Sequence, residues 1–411
     1  MKLHGVGVVG LGYVGLPLAK LIHTSGNDVT GIENNAQRIT DLKLTEQFHI
    51  SNSVEDLVDK KIIIICVPTP VHRDNTPDLT ILNSVLESLS PHLQTGQLVI
   101  IESTVYPGYC RNIAIKKLES KSSLHVGTEL MLAHCPERIN PGDKKWSIAT
   151  IPRVLGGYDK KSTDTAVKFY ESILKSNVHI MNTIEEAEAV KVVENTFRDI
   201  NIAYVNELAI TFNKIGIDIV NVIDGAATKP FGFLAHYPSI GVGGHCIPVD
   251  PYYLIDTGKS VGIQNKFIAM ARSINNGMPS YLAAKLEDSL LRRGMHSARI
   301  TVLGVAYKAN INDIRESPVI EFIKILKDNG HAVTVYDPHV PHMSTVETLN
   351  QALANCEVVV VATHHTEFNL LEYTQMAKKG TMIVVDGHDT LNQAIIETAG
   401  LEYIGVGRIS S

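Results

Sequence analysis

Gly10-Leu-Gly12-Tyr13-Val14-Gly15 constrains this chain more than any other stretch. It follows a short apolar run over residues 3–9 and precedes Leu16-Pro-Leu-Ala-Lys-Leu-Ile at helical spacing. Strand, GxGxxG and helix in that order leave few architectures. The first glycine makes a tight turn, the second lets a pyrophosphate approach the backbone, and the third packs helix on strand. The phosphates would lie at the helix N-terminus, where N–H groups point outward. A second strand, Asp28-Val-Thr-Gly-Ile32, ends at Glu33. A carboxylate there accepts hydrogen bonds from an adenosine ribose and repels a 2′-phosphate, which favours NAD over NADP. Arg38 is near enough to weaken that preference. The alternative is an ordinary βαβ unit with no dinucleotide.

Lys61-Ile-Ile-Ile-Ile-Cys66-Val67 is a continuous apolar run, as expected of a strand buried on both faces of a parallel sheet. Pro68-Thr69-Pro70 leaves its carboxyl end, where ligands bind in open α/β sheets. The next strand, Gln97–Ile101, runs into Glu102-Ser103-Thr104-Val-Tyr-Pro-Gly108 at the same rim. Pro68, Thr69, Ser103 and Thr104 therefore join the candidate cofactor contacts. Thr104 reads equally as the N-cap of a helix over 109–119. Residues 124–134 read as a further strand, ending in His-Cys-Pro-Glu137-Arg138-Ile-Asn-Pro-Gly142. Glu137 suits a general base or a water-positioning carboxylate. Alternatively, Glu137 and Arg138 pair with other charges.

Residues 184–216 have apolar positions at three-to-four spacing and no Pro or Gly before Gly216, which predicts one long helix. Lys191 and Asn195 share a face of it. Together they could stabilise a developing oxyanion, or Lys191 could simply be solvated. Gly241-Val-Gly243-Gly244-His-Cys246-Ile-Pro-Val-Asp250 sets one thiol behind a glycine run and four residues before a carboxylate. That is a nucleophile loop or a buried cysteine in a turn. The last third repeats the first. Arg299–Gly304, Val333–Asp337 and the run after Cys356 mirror Gly10, Glu33 and Cys66 at near-constant offsets. The repeat keeps one glycine in its first turn, so a different ligand is expected there. Lys308 and Arg315 near Asp313 could grip phosphates, or form a solvated charged loop.

A net charge of −6 over 411 residues offers no basic field for nucleic acid. Five scattered cysteines without a CxxC pair indicate neither zinc nor a disulfide framework. No leader or membrane span is apparent, so a cytoplasmic protein is expected.

Taken in order, GLGYVGLPLA, VPTP, ESTVYPG, CPERINPG, EAVKVVENTF, GVGGHCIPVDP and GVAYKANINDIRESP resemble the nucleotide-sugar 6-dehydrogenases, the UDP-glucose and UDP-N-acetylhexosamine group. The likeness covers nearly the whole chain. It implies an α/β fold of two Rossmann-like doubly wound parallel-sheet domains joined by a long central helix. The divisions would be an NAD-binding domain over 1–183, a helical dimerisation domain with the cysteine loop over 184–293, and a UDP-binding domain over 294–411. It implies four-electron, NAD-dependent oxidation of C6 of a UDP-sugar in a homodimer or larger assembly.

On that resemblance Cys246 is the nucleophile and Lys191 and Asn195 steady the oxyanion. Asp250 and Thr104 hold the water, and Glu137 is the acid/base carboxylate. Arg138, Gly243, Gly244 and Lys308 join them around the substrate, and Arg315 holds cofactor. GHCIPVDP with PERINPG is similar to the enzymes for 2-acetamido sugars rather than to the UDP-glucose branch. The motifs do not separate the gluco, manno and galacto epimers, and UDP-N-acetylglucosamine is the expected substrate, with UDP-N-acetylmannosamine or UDP-glucose as alternatives. His388 stands where many members carry arginine. A non-catalytic nucleotide-sugar sensor is the alternative from another class.

Overall fold

The computed structural model describes residues 5–139 and 146–409. The Asn140-Pro-Gly142 end of the CPERINPG motif and the first residues of the opening apolar run lie outside them. The chain divides into two compact units, Met1–Glu194 with Tyr252–Gln264, and Asn195–Pro251 with Asn265–Ser411.

The first unit is built on eight strands: β1 (Val6–Val9), β2 (Val29–Ile32), β3 (His49–Ser51), β4 (Ile62–Ile65), β5 (Leu98–Ile101), β6 (Met131–His134), β7 (Arg153–Gly157) and β8 (Val178–Ile180). Their order is β3-β2-β1-β4-β5-β6-β7-β8. The apolar run at 62–65 is buried throughout, as a central strand covered on both faces should be. Register pairs Val9 with Ile32 and Ile65, Ile65 with Ile101, and Ile101 with His134. The carboxyl ends of five strands therefore stop level, and Gly10, Glu33, Cys66, Glu102 and Cys135 follow them along one rim.

Two details differ from the sequence reading. Neighbouring strands are parallel except β6 and β7, which run antiparallel through Ala133–Gly157 and His134–Gly156. A parallel return needs a crossover, usually a helix, and none lies between β6 and β7 among the described residues. The strand expected over 124–134 begins only at Met131, because Gly127, at φ +95°, turns the chain and leaves a single Val126–Leu130 bridge.

Beneath the rim lies a buried ion pair. Arg153, fully enclosed, donates from Nη1 to Glu102 Oε2 at 3.2 Å, and the Tyr170 hydroxyl donates to Glu102 Oε1 at 2.5 Å. Charges removed from water persist when paired and hydrogen-bonded in this way. They fix the residue that precedes Ser103 and Thr104.

The second unit carries β9 (Arg299–Leu303), β10 (Ala332–Tyr336), β11 (Val358–Val361), β12 (Ile383–Asp386) and β13 (Glu402–Gly405), all parallel in the order β10-β9-β11-β12-β13. The order reverses between β9 and β11, the switch point beside which open sheets bind ligands. Its core joins Ile300, Val302, Val358 and Val360 to Leu282 and Leu286 of the helix Lys266–Arg292 and Phe322 of the helix Pro318–Asp328. The long helix predicted from the middle of the chain is present as Ile184–Lys214, with Gly216 at φ +72° just beyond it. The division between the two units falls inside this helix. No helix among the described residues is long and apolar enough to cross a membrane.

Candidate active site

The glycine turn after β1 has the shape a dinucleotide requires. A side-chain carbon at Gly15 would stand 1.9 Å from the Gly10 carbonyl oxygen, so helix and turn touch there. A carbon at Gly12 would meet nothing within 4 Å, and Gly12 and Tyr13 are exposed. Val14 precedes the helix Gly15–Thr24 without a side-chain cap, so no side chain occupies the positive end of the helix, although Leu16 N–H already donates to the Gly12 carbonyl at 3.2 Å. The Glu33 carboxylate accepts from the N–H groups of Asn34 and Asn35 at 2.9 and 3.1 Å. Arg38 is exposed, but two of its nitrogens are already engaged by the chain. Its Nε and Nη2 donate to the Leu11 carbonyl at 3.1 and 2.5 Å, and Nε lies 3.5 Å from Glu33. The open cradle, helix start and carboxylate together fit NAD.

On the same rim, Tyr253 donates its hydroxyl to the Thr69 carbonyl at 2.9 Å and Ser103 donates to the Val67 carbonyl at 2.8 Å. Pro68 is exposed and Thr104 half-buried. Thr104 does not cap the following helix. That segment starts as a wide π-turn at Cys110, and its N–H groups go to Glu188 instead. Glu188 Oε1 accepts from Cys110 N–H at 2.7 Å and Oε2 from Gly108 N–H at 2.5 Å. Glu188 thus ties the Thr104 loop to the helix Ile184–Lys214, three residues before Lys191. The sequence reading missed it. The available signal was a carboxylate on the Lys191 face of that helix.

Burial raises the Glu188 acid to about 6, against the pull of its bonds to Cys110 and Gly108. From its ordinary value of 4.5 up to that point the folded chain holds the proton more tightly than the unfolded one. The group therefore favours folding below about pH 4.5, and that contribution is lost as pH rises through 6. One and a half pH units correspond to about 2 kcal/mol. Relative to wild type, Glu188→Gln is expected to gain about 2 kcal/mol between pH 4.5 and pH 7.5. Paired urea melts at the two pH values measure this, and parallel pH dependences would remove the assignment.

Lys191 and Glu137 come together in the first unit. Lys191 Nζ lies 4.0 Å from Glu137 Oε2, both side chains are about nine-tenths buried, and Glu137 Oε1 accepts from Ile139 N–H. Arg138 instead pairs with Glu194 through Nε at 3.1 Å and through Nη2, and donates to the Pro152 carbonyl at 3.0 Å. Charge pairing describes both residues, Arg138 with Glu194 and Glu137 with the buried Lys191 ammonium, and the latter contact is compatible with an acid/base role for Glu137.

In the second unit, Asn195 Nδ2 donates to Asp250 Oδ2 at 2.6 Å, and both residues are buried. The backbone N–H of Asp250 donates to the Cys246 carbonyl at 2.9 Å, so thiol and carboxylate sit one turn apart on one loop. Cys246 is exposed, whereas Cys66, Cys110, Cys135 and Cys356 are buried. The reading of Cys246 as a buried turn cysteine is thereby set aside. Gly244, at φ +94°, lets the main chain approach Tyr307, whose ring would stand 2.8 Å from any side-chain carbon there, and Gly243 lies as close to the same residue. Gly244 N–H also donates to the Arg315 carbonyl at 3.0 Å, which joins the cysteine loop to segment 307–317.

In that segment Lys308 is half-buried. Arg315 grips Asp313 through Nε at 3.0 Å and Nη2 at 2.6 Å. Burial pushes the Asp313 acid up, but these bonds outweigh it and hold the acid below its ordinary range. His388 donates from Nδ1 to the Ala362 carbonyl at 2.8 Å, and burial pushes its imidazole down, so a neutral ring stands at that position.

Comparison with known proteins gives three matches along the chain. The NAD binding domain of the UDP-glucose/GDP-mannose dehydrogenase family matches residues 4–61 and 42–174, its central domain matches 185–277, and its UDP binding domain matches 301–393. The chain is 34% identical to the UDP-N-acetyl-D-mannosamine dehydrogenase of Pyrococcus horikoshii, over 98% of this chain and 99% of that one. It is 38% identical to the UDP-N-acetyl-D-glucosamine 6-dehydrogenase of Pseudomonas aeruginosa, over 83% and 84%. The solved structure of the UDP-D-ManNAc dehydrogenase from Pyrococcus horikoshii superposes with a TM-score of 0.91 at 33% identity, covering 98% of this chain and 99% of that one.

Proposed function

Because the chain belongs to the UDP-glucose/GDP-mannose dehydrogenase family, and is thereby an NAD-dependent nucleotide-sugar dehydrogenase, we propose that it oxidises the C6 hydroxyl of UDP-N-acetylglucosamine to the carboxylate. The observation that carries this reading is the exposed Cys246 beside the buried Asn195–Asp250 pair. NAD, when bound at the glycine turn and Glu33, supplies the hydride acceptor. Loss of a hydride from C6 and of the hydroxyl proton leaves an aldehyde. Cys246 Sγ adds to it as thiolate to give a thiohemiacetal, from which the second hydride departs. This leaves a thioester, and water releases the acid and regenerates the thiol. Lys191 and Asn195 donate to the oxyanion formed at C6. Asp250 and Thr104 hold the water, and Glu137 relays its proton. Lys308 and Arg315 hold nucleotide phosphates. Functionally the chain then divides at 183/184 and 293/294.

A second reading, UDP-N-acetylmannosamine as substrate, is favoured by the longer match to the Pyrococcus horikoshii enzyme. The assembly is a homodimer or larger. The exposed Phe197, Tyr204, Phe267 and Met270 in the second unit support that. The deciding experiment gives the purified protein limiting UDP-glucose, UDP-N-acetylglucosamine or UDP-N-acetylmannosamine and counts NADH. Two NADH per sugar from UDP-N-acetylglucosamine, with the other two slower, is the expected result. One NADH per sugar would end the four-electron scheme, and preference for the manno epimer would install the second reading.

A further inference from the structure

The turn after β9 repeats the turn after β1, but its backbone groups are already taken. Asp337, directly after β10, accepts at Oδ2 from the N–H groups of Val305 and Ala306 at 2.6 and 3.0 Å. Its Oδ1 accepts from the N–H groups of His339 and Val340 at 2.8 and 3.0 Å. The Val305 carbonyl takes the Ser317 hydroxyl at 2.7 Å, and the Ala306 carbonyl takes the Thr363 hydroxyl at 2.6 Å. Val305 and Ala306 are fully buried. In the first unit the corresponding Gly12 is exposed with open space around it, and Glu33 binds its own neighbours rather than the turn. The two copies of one fold treat the same turn in opposite ways.

His365 extends the closure. Its Nε2 lies 3.0 Å from Asp337 Oδ2, and its Nδ1 accepts from Asn310 N–H at 2.8 Å. Because Nδ1 is an acceptor, the proton of the neutral ring sits on Nε2 and points at the carboxylate. Asn310 stands in the left-handed region at φ +62°, and its Oδ1 accepts from Thr366 N–H at 2.9 Å. Burial pushes the Asp337 acid up, but the bonds from His365, Ala306 and Val305 outweigh it and keep the group ionised. A dinucleotide needs the first-turn amides for its phosphates. Here a carboxylate of the chain holds them, so these two amides are closed to a bound anion, and Lys308 and Arg315 lie beyond them on the same loop.

We propose that Asp337 and His365 are positioning residues for the nucleotide. Asp337 is a built-in anion that fills the second glycine turn, and His365 passes that anchoring through Asn310 to segment 307–317, setting it to receive the diphosphate of a uridine nucleotide. The proposal rests on the nucleotide seat of the reading above but not on the oxidation.

UDP itself is the probe, titrated calorimetrically into wild type, His365→Gln and His365→Asn. Glutamine keeps an N–H near the Nε2 position and asparagine an acceptor near Nδ1, so each variant breaks one bond of the relay. Each is expected to lose roughly tenfold in UDP affinity, with NAD affinity within twofold of wild type and the UDP-sugar KM raised at unchanged kcat. UDP affinity within twofold of wild type in both variants would overturn the proposal. Should either variant fold poorly, amide hydrogen exchange on wild type gives an independent reading. Slow exchange at Val305, Ala306 and Asn310 is expected, and exchange there as fast as at Gly12 would overturn it. Absence of NADH from every UDP-sugar would count against the oxidation and leave both of these measurements standing.

Discussion

Cys246→Ser is expected to lower the rate of acid formation by at least about 10³-fold. A serine hydroxyl is a far weaker nucleophile at neutral pH, and the loop holds no second sulfur that could replace it. The side chain is exposed and the other four cysteines are buried. Exchanging sulfur for oxygen there should move the melting temperature by no more than about 2 °C. The loop is held by other groups in any case: Asp250 N–H on the Cys246 carbonyl, and Gly244 N–H on the Arg315 carbonyl. Activity loss without stability loss is the signature to measure, with NADH counted per sugar and a thermal melt on the same preparation. Turnover within tenfold of wild type would remove the thiol from the mechanism.

Lys191→Met is the second large effect, an expected fall of about 10² to 10³ in kcat. The ammonium sits 4.0 Å from the Glu137 carboxylate, with both side chains almost wholly enclosed. On the proposed mechanism removing it deletes an oxyanion donor, and in any case it leaves the carboxylate buried without that cation. Its test is a split of kcat from KM. A donor to the oxyanion changes kcat, whereas one that merely binds ground-state sugar changes KM. A kcat within threefold of wild type would return Lys191 to a structural role.

Much of this was legible from local pattern. Gly10, Gly12 and Gly15 between a strand and a helix fixed the first turn, because the steric demands there belong to neighbouring residues. The Ile62–Ile65 run and the long helix from Ile184 were equally plain, since burial on both faces and a 3.6-residue period are written along the chain. What escaped is what joins distant segments. Nothing beside Thr104 shows that Glu188, far along the sequence, takes the N–H groups of Gly108 and Cys110. Nothing beside Arg153 shows that its strand pairs antiparallel and lays the guanidinium on Glu102. Asp337 mirrors Glu33 in its place at a strand end. Its opposite use follows from a shorter side chain and from a histidine after β11, and neither is visible in an offset.

The filled turn after β9 also separates the two copies thermodynamically. A carboxylate tethered by the chain forfeits no translational freedom when it docks, and it is never diluted. The first copy borrows its anion from solution, so its resistance to unfolding climbs with the logarithm of cofactor concentration. In the second copy that part of the resistance is constant, whatever the cell's supply of dinucleotide.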